Sequence, residues 1–286
     1  MEAELIADYQ CACGEGPVWH PLEKQLYWID IPTGRIFRYN PATGKHETVF
    51  QGDVLGGFTI QEDGSLLLFQ GKGTVQCLRN GNLTTVVPEI EDERATRFND
   101  VIADPAGRVF CGTMPTKERP GRLYRLDTDG SIHRVLDGVG CANGMGFTPD
   151  RKGMYFTDSI PARAIYLFDY DERSGELSNQ RVFAQIPQDA GVPDGMTVDA
   201  AGNVWSARWD GGCLVRYAAD GSEAERFTFP AKKVSSVIFA GEDYRDLYVT
   251  TAGGGKKEDE GAGAGALFRL RLGIQGKPEF FSRIAC

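Results

Sequence analysis

One unit repeats six times along the 286 residues, and it constrains the fold more than any other feature. Short apolar runs rich in β-branched and aromatic side chains recur as QLYWIDI, SLLLFQG, RVFCGTM, GMYFTDS, NVWSARW and DLYVTTA. Most follow a turn signal such as Asp63-Gly64 or Ala201-Gly202, and each is followed by a second run such as RIFRYN or RLYRLD. No long segment of helical period competes with them, so the pattern is all-β. Aligning the segment upstream of each run makes Trp19, Ile60, Ala103, Phe147, Val198 and Phe239 equivalent, at steps of 41, 43, 44, 51 and 41 residues. A multi-stranded unit of that length cannot bury its faces alone, and closing copies into a ring covers them. The sequence therefore predicts a six-bladed β-propeller. Its four-stranded antiparallel blades surround a central channel, in a single domain over residues 1–286. Leu5 to Tyr9 and the C-terminal KPEFFSRI are expected to supply outer strands that close the ring. The Gly-rich, charged stretch from Gly253 reads as a mobile surface loop.

The first strand of each blade lines the channel, so equivalent positions in different blades form a ring at one height. Four residues before each anchor stand Glu15, Gly56, Asn99, Asn143, Asp194 and Ser235. The next positions are Gly16, Gly57, Asp100, Gly144, Gly195 and Ser236, mostly small residues that suit a crowded axis. Two carboxylates close together in a low-dielectric channel repel, and a divalent cation cancels the charge of Glu15 and Asp194. The amide oxygens of Asn99 and Asn143 would complete a hard, all-oxygen shell. Such a shell favours Ca²⁺, Mg²⁺ or Mn²⁺, with Zn²⁺ or Fe²⁺ as other occupants. Asn-Gly and Asp-Gly are also ordinary hairpin turns. What separates Asn143 and Asp194 from Asp129-Gly130 or Asp220-Gly221 is the shared repeat register.

Composition removes other classes. The net charge of −9 argues against a nucleic-acid or anionic-membrane partner. The seven Cys are scattered with no C-x-x-C pair, as expected of reduced thiols rather than a zinc or redox motif. His20, His46 and His133 lack the company of a catalytic triad, and no G-x-S-x-G elbow exists. The opening MEAELIADYQ has neither a basic nor an apolar leader region, and no apolar stretch is long enough to span a bilayer. A cytoplasmic location is expected.

With these residues in hand, the chain resembles the gluconolactonase, regucalcin and senescence-marker-protein family over its whole length. The resemblance is carried by GEGPVWHP (Gly14 to Pro21), LYWIDI (Leu26 to Ile31), RFNDVIADPAGRVFCGTM (Arg97 to Met114), ANGMGFTPD (Ala142 to Asp150) and VPDGMTVDAAGNVW (Val192 to Trp205). It implies a six-bladed propeller with one catalytic metal in the channel. It assigns metal binding to Glu15, Asn143 and Asp194, and substrate binding to Arg97 and Asn99, with Asn99 also reaching the metal in some relatives. A glutamate that contacts sugar hydroxyls in mammalian relatives sits in a longer loop. Here that loop is the short TKERPGR (Thr116 to Arg122), and Glu118 is the loose match.

The expected reaction is metal-assisted hydrolysis of a small-molecule sugar lactone, an aldonolactone such as glucono- or xylonolactone. The ion polarises the carbonyl and Asp194 serves as ligand and general base. Trp209 and Asp210, in a channel-end loop, are candidates to contact a sugar face, with buried packing as the other role for Trp209. Two rivals stand beside this reading. One is an organophosphate-hydrolysing propeller of the diisopropyl fluorophosphatase type, which uses a similar Glu-Asn-Asn-Asp set. The other is a non-catalytic calcium-binding propeller.

Overall fold

The computed structural model describes residues 3–286. Its strands form six four-stranded antiparallel sheets arranged as the blades of a propeller. The innermost strands are Gly14–His20, Leu55–Ile60, Phe98–Ala103, Ala142–Phe147, Val192–Val198 and Val234–Ala240. Five blades are built from consecutive strands, in the order inner to outer. The sixth is completed by Glu4–Asp8, which pairs antiparallel with Ala266–Arg271 as its outermost strand. The first strand of the chain thus closes the last blade, and the ring has no seam held by packing alone.

Six apolar clusters fill the six spaces between blades. Trp28, Trp19 and Tyr248 join the sixth blade to the first, and Trp205, Phe239 and Phe268 join the fifth to the sixth. Phe69 and Phe98 meet edge to face between the second and third. Alternation along each strand sends one set of side chains to each neighbour, so inner strands are buried on both faces.

Every inner strand carries a register shift at the same level. The shifts fall between Glu15 and Val18, Leu55 and Gly57, Phe98 and Val101, Asn143 and Met145, Pro193 and Met196, and Val234 and Ser236. A bulge breaks strict alternation and re-aims a side chain. Here six bulges turn one tier of residues toward the axis.

The C-terminal segment departs from expectation. KPEFFSRI forms no outer strand; it crosses the lower mouth of the channel as a strap. Gly276 N–H donates to Tyr244 O at 2.8 Å, Ser282 N–H to Ile60 O at 2.9 Å and Arg283 N–H to Gly107 O at 2.8 Å. Phe280 meets Phe147 edge-on at 5.9 Å. The strap therefore touches the sixth, fourth, third and second blades and leaves the channel open at one end. The stretch after Gly253 is also ordered, as the turn Gly254–Lys256 and the helix Lys257–Glu260. Lys233–Glu260 and Lys257–Asp8 ion pairs pin it to the body. Among the described residues no helix is long and apolar enough to cross a membrane.

Candidate active site

The open end of the channel leads to a cavity of about 420 Å³, lined at its floor by Glu15, Asn99, Asn143 and Asp194. The structure brings together the four residues that the repeat register selects. They are 4%, 7%, 6% and 6% exposed. Close contacts and backbone geometry show why glycine follows Glu15, Asn143 and Asp194. A Cβ on Gly144 would lie 2.5 Å from Met196 N and 2.7 Å from Asp194 O. One on Gly195 would lie 2.2 Å from Ser236 Oγ, and Gly16 has φ +51. The dipeptides Asn143-Gly144 and Asp194-Gly195 are thus not hairpin turns. Each glycine lets adjacent inner strands approach closely enough for Glu15, Asn143 and Asp194 to line one cavity.

The polar atoms are oriented individually. Asn143 Nδ2 donates to Ser159 Oγ at 3.0 Å, and Ser159 Oγ donates to Pro193 O at 2.6 Å. That leaves Asn143 Oδ1 buried with no hydrogen-bond partner. Asn99 Nδ2 donates to Ala142 O at 2.8 Å, while its Oδ1 accepts from Arg97 Nη1 at 2.6 Å. Glu15 Oε2 accepts from the N–H of Gly16 at 2.9 Å. Burial, then the nearby Asp194 and Asp100 charges, hold the Glu15 carboxyl well above the ordinary carboxylate range. Burial and then Asp100 do the same to Asp194.

A dication fits this donor set. A buried amide oxygen without a partner costs about 1–3 kcal/mol, a penalty that coordination removes. The dication's two positive charges offset the two negative charges of Glu15 and Asp194. Among the described residues no three His, Cys, Asp or Glu side chains converge tightly enough to hold a metal, so an ion here depends on amide oxygen as well as carboxylate. All-oxygen donors select a hard cation.

Two residues were not singled out by the repeat register. Asp100 faces the small cavity of about 70 Å³ beneath the floor, beside Glu279 and Phe280 of the strap. Burial pushes its carboxyl up to about 7. The neighbouring step of the register, one residue past the ligand tier, contains it. Ser159, which orients Asn143, stands at the end of a different strand and carries no sequence signal.

Arg97 lines the cavity. Glu118 does not: it is exposed, in a turn where Thr116 Oγ1 accepts from the N–H groups of Glu118 and Arg119. Arg119 and Arg122 anchor that turn on the buried Glu93, which holds Glu118 outside the cavity, over a shallow depression beside Gly140 and Pro161. None of the three His lines the cavity. His20 pairs with Gly64 O, His46 with Tyr9 and His133 with Asp127. The upper wall is apolar, with Ile31, Met114, Ile160 and Val192, and Trp209 and Asp210 stand at its rim.

Residues 13–253 match the family described as SMP-30/Gluconolactonase/LRE-like region. The chain is 52% identical to pentonolactonase XacC of Haloferax volcanii, over 99% of both proteins. It is 32% identical to regucalcin of Xenopus laevis, over 96% of both. Among solved structures, a calcium-binding regucalcin from Agrobacterium tumefaciens superposes with a TM-score of 0.91 at 24% identity, over 99% of this chain and 98% of that one.

Proposed function

Because the chain belongs to the SMP-30/gluconolactonase/LRE-like family, we propose that it is a lactonase that hydrolyses the ring ester of a sugar lactone with the help of one divalent cation. The observation that carries the reading is the buried, unpartnered Asn143 Oδ1 converging with the Glu15 and Asp194 carboxylates at the floor of the one-ended channel. The similarity to a pentonolactonase makes five-carbon aldonolactones the first substrates to try.

Lactone opening adds one water across the acyl C–O bond: the acyl carbon gains a hydroxyl and the ring oxygen leaves as an alcohol. Glu15, Asn143 and Asp194 would hold the cation, and Asn99 would add a fourth oxygen through the second lone pair of Oδ1, which also accepts from Arg97. The ion, when bound, supplies Lewis acidity toward the developing oxyanion. Asp194 takes the proton of the attacking water and returns it to the ring oxygen. In the metal-free protein burial raises its proton affinity, and with a cation bound it would return to the ionised form that a base needs. Arg97 donates to the carbonyl or a ring hydroxyl, and Asn99 positions it. The wall of Ile31, Met114, Ile160 and Val192 excludes bulk water and strengthens each of these interactions. Ca²⁺ matches the donor set best; Mg²⁺, Mn²⁺, Zn²⁺ and Fe²⁺ are the other ions to test.

The test is a pH-stat assay of aldonolactones on chelated protein, repeated with each divalent ion and with a fluorophosphate. Lactone turnover restored by one or a few ions is expected. Full-rate opening by metal-free protein would sink the metal role, and a faster rate on the fluorophosphate would favour the organophosphatase reading.

A further inference from the structure

A cavity that selects sugars must offer acceptors to hydroxyls far from the reacting carbonyl. Glu118 cannot, since its turn keeps it outside the cavity. Apart from Glu15 and Asp194 at the floor, one acid among the described residues lines the cavity: Asp210. It sits just past the strand Val204–Trp209 with φ +57, a conformation that aspartate tolerates better than most residues. Its Oδ1 accepts from Lys233 Nζ at 2.8 Å, and its side chain is otherwise open to solvent.

The same ammonium braces the neighbouring indole. Lys233 Nζ lies 5.5 Å from the centroid of the Trp209 ring and is held by Glu260 Oε2 at 2.6 Å. One cation thus fixes both an aromatic plate and a carboxylate at the rim. Trp209 is also the one tryptophan that is not buried; Trp19, Trp28 and Trp205 are 6%, 2% and 0% exposed. An amphipathic ring at the mouth of a polar pocket suits a sugar, which presents C–H groups on a face and hydroxyls at its edge. The side chains of Ile31, Met114, Ile160 and Val192 are apolar and offer hydroxyls no strong partner.

Resting on the lactonase reading, we propose that Trp209 and Asp210 form the wall that recognises the hydroxyls of the lactone. Trp209 covers the C–H face, Asp210 accepts a hydrogen bond from a hydroxyl remote from the carbonyl, and Lys233 is the positioning residue for both. The substrate class is therefore a polyhydroxylated lactone, and the preference for it over a plain lactone resides in these residues rather than in Glu118.

The experiment compares kcat and KM on a pentonolactone with those on γ-butyrolactone, which has the same ester ring and no hydroxyl. Asp210→Gly removes the carboxylate without straining the left-handed turn. The ratio of kcat/KM for the hydroxylated over the plain lactone is expected to fall about tenfold, mostly through KM, as for loss of a hydrogen bond to a charged group. Asp210→Asn, which keeps an acceptor oxygen, should recover part of the ratio. Lys233→Met should lower the ratio and Lys233→Arg restore it, which a purely structural brace would not do. Quenching of tryptophan fluorescence by the pentonate product should disappear in Trp209→Phe. A ratio unchanged in Asp210→Gly, or a quench that survives in Trp209→Phe, overturns the proposal. Wild-type protein that opens neither lactone overturns the lactonase reading and this wall with it.

Discussion

Asn143 and Ser159 form a relay that decides which atom of the amide is left without a partner: Asn143 Nδ2 donates to Ser159 Oγ at 3.0 Å, and Ser159 donates onward to Pro193 O at 2.6 Å. With its own proton committed to Pro193, the hydroxyl can only accept from Asn143. Asn143 Oδ1 is therefore the amide atom left buried without a partner. Ser159→Ala removes the acceptor and lets the amide rotate. Divalent-ion affinity is expected to fall about tenfold, the low end for loss of an outer partner of a metal ligand. Calorimetric titration of chelated protein with Ca²⁺ checks this, and unchanged affinity would show that the relay does not orient the ligand.

Asp194 is assigned two duties, ligand and base, and the isosteric Asp194→Asn separates them. A pure ligand role predicts weaker metal binding, with turnover recovered at saturating ion. A base role predicts that turnover stays depressed by about 10²–10⁴-fold at saturation. The second outcome is expected. Parallel metal titrations and initial rates on an aldonolactone distinguish the two.

Much of this site was legible in the sequence because a ring of blades converts repeat register into height. Glu15, Asn99, Asn143 and Asp194 share one position in the unit, and the structure places them on one cavity floor. The six blades and the closing role of the N-terminal strand followed from the same period. What escaped was set by contacts between distant segments. The bulges arise where inner strands crowd one another, as Gly144 does against Asp194 and Met196, and no local propensity encodes them. Glu118 is held away by Arg119 and Arg122 on Glu93, which is separated from them by more than a strand's length of chain and meets them at the third blade. The Gly-rich stretch after Gly253 reads as mobile because its anchors, Lys233 and Asp8, lie in distant segments of the chain. The strap differs from the expected outer strand because its hydrogen bonds go to several different blades.

Phe280 lets the strap be tested without removing it. The ring meets Phe147 at 5.9 Å, lies under the Arg151 guanidinium at 5.3 Å and borders the lower cavity with Glu279. It is only partly buried, so Phe280→Ala should cost less than a fully buried phenylalanine, about 1–2 kcal/mol. For a chain of this size that is a drop of several degrees in Tm, at about 2–4 °C per kcal/mol. The blades are closed independently by Glu4–Asp8, so the circular dichroism spectrum should keep its all-β shape. Thermal denaturation followed by circular dichroism tests both statements, and an unchanged Tm would mean that the strap adds nothing to stability.

The three channel carboxyls give the metal-free protein an unusual pH dependence. Burial pushes Asp100 up to about 7 and holds Glu15 and Asp194 well above the ordinary range, whereas in the unfolded chain all three titrate near 4. An acid whose folded pKa is raised binds its proton more tightly in the native state. Its contribution is fully present below about 4 and is lost as pH rises through the folded value. Metal-free protein should therefore lose thermal stability between about pH 5 and pH 8. The paired surface carboxylates act in the opposite sense, but Asp63 and Asp129 are held below their ordinary values, so their window closes below about 4. A bound dication favours the ionised forms and reverses the trend. The rise in Tm on adding Ca²⁺ to chelated protein should accordingly be larger at pH 8 than at pH 5. Thermal shift measurements across that range decide the matter: metal-free protein that gains stability as pH rises would mean that these carboxyls are already charge-compensated within the fold, and the case for a cation at Glu15 and Asp194 would fail.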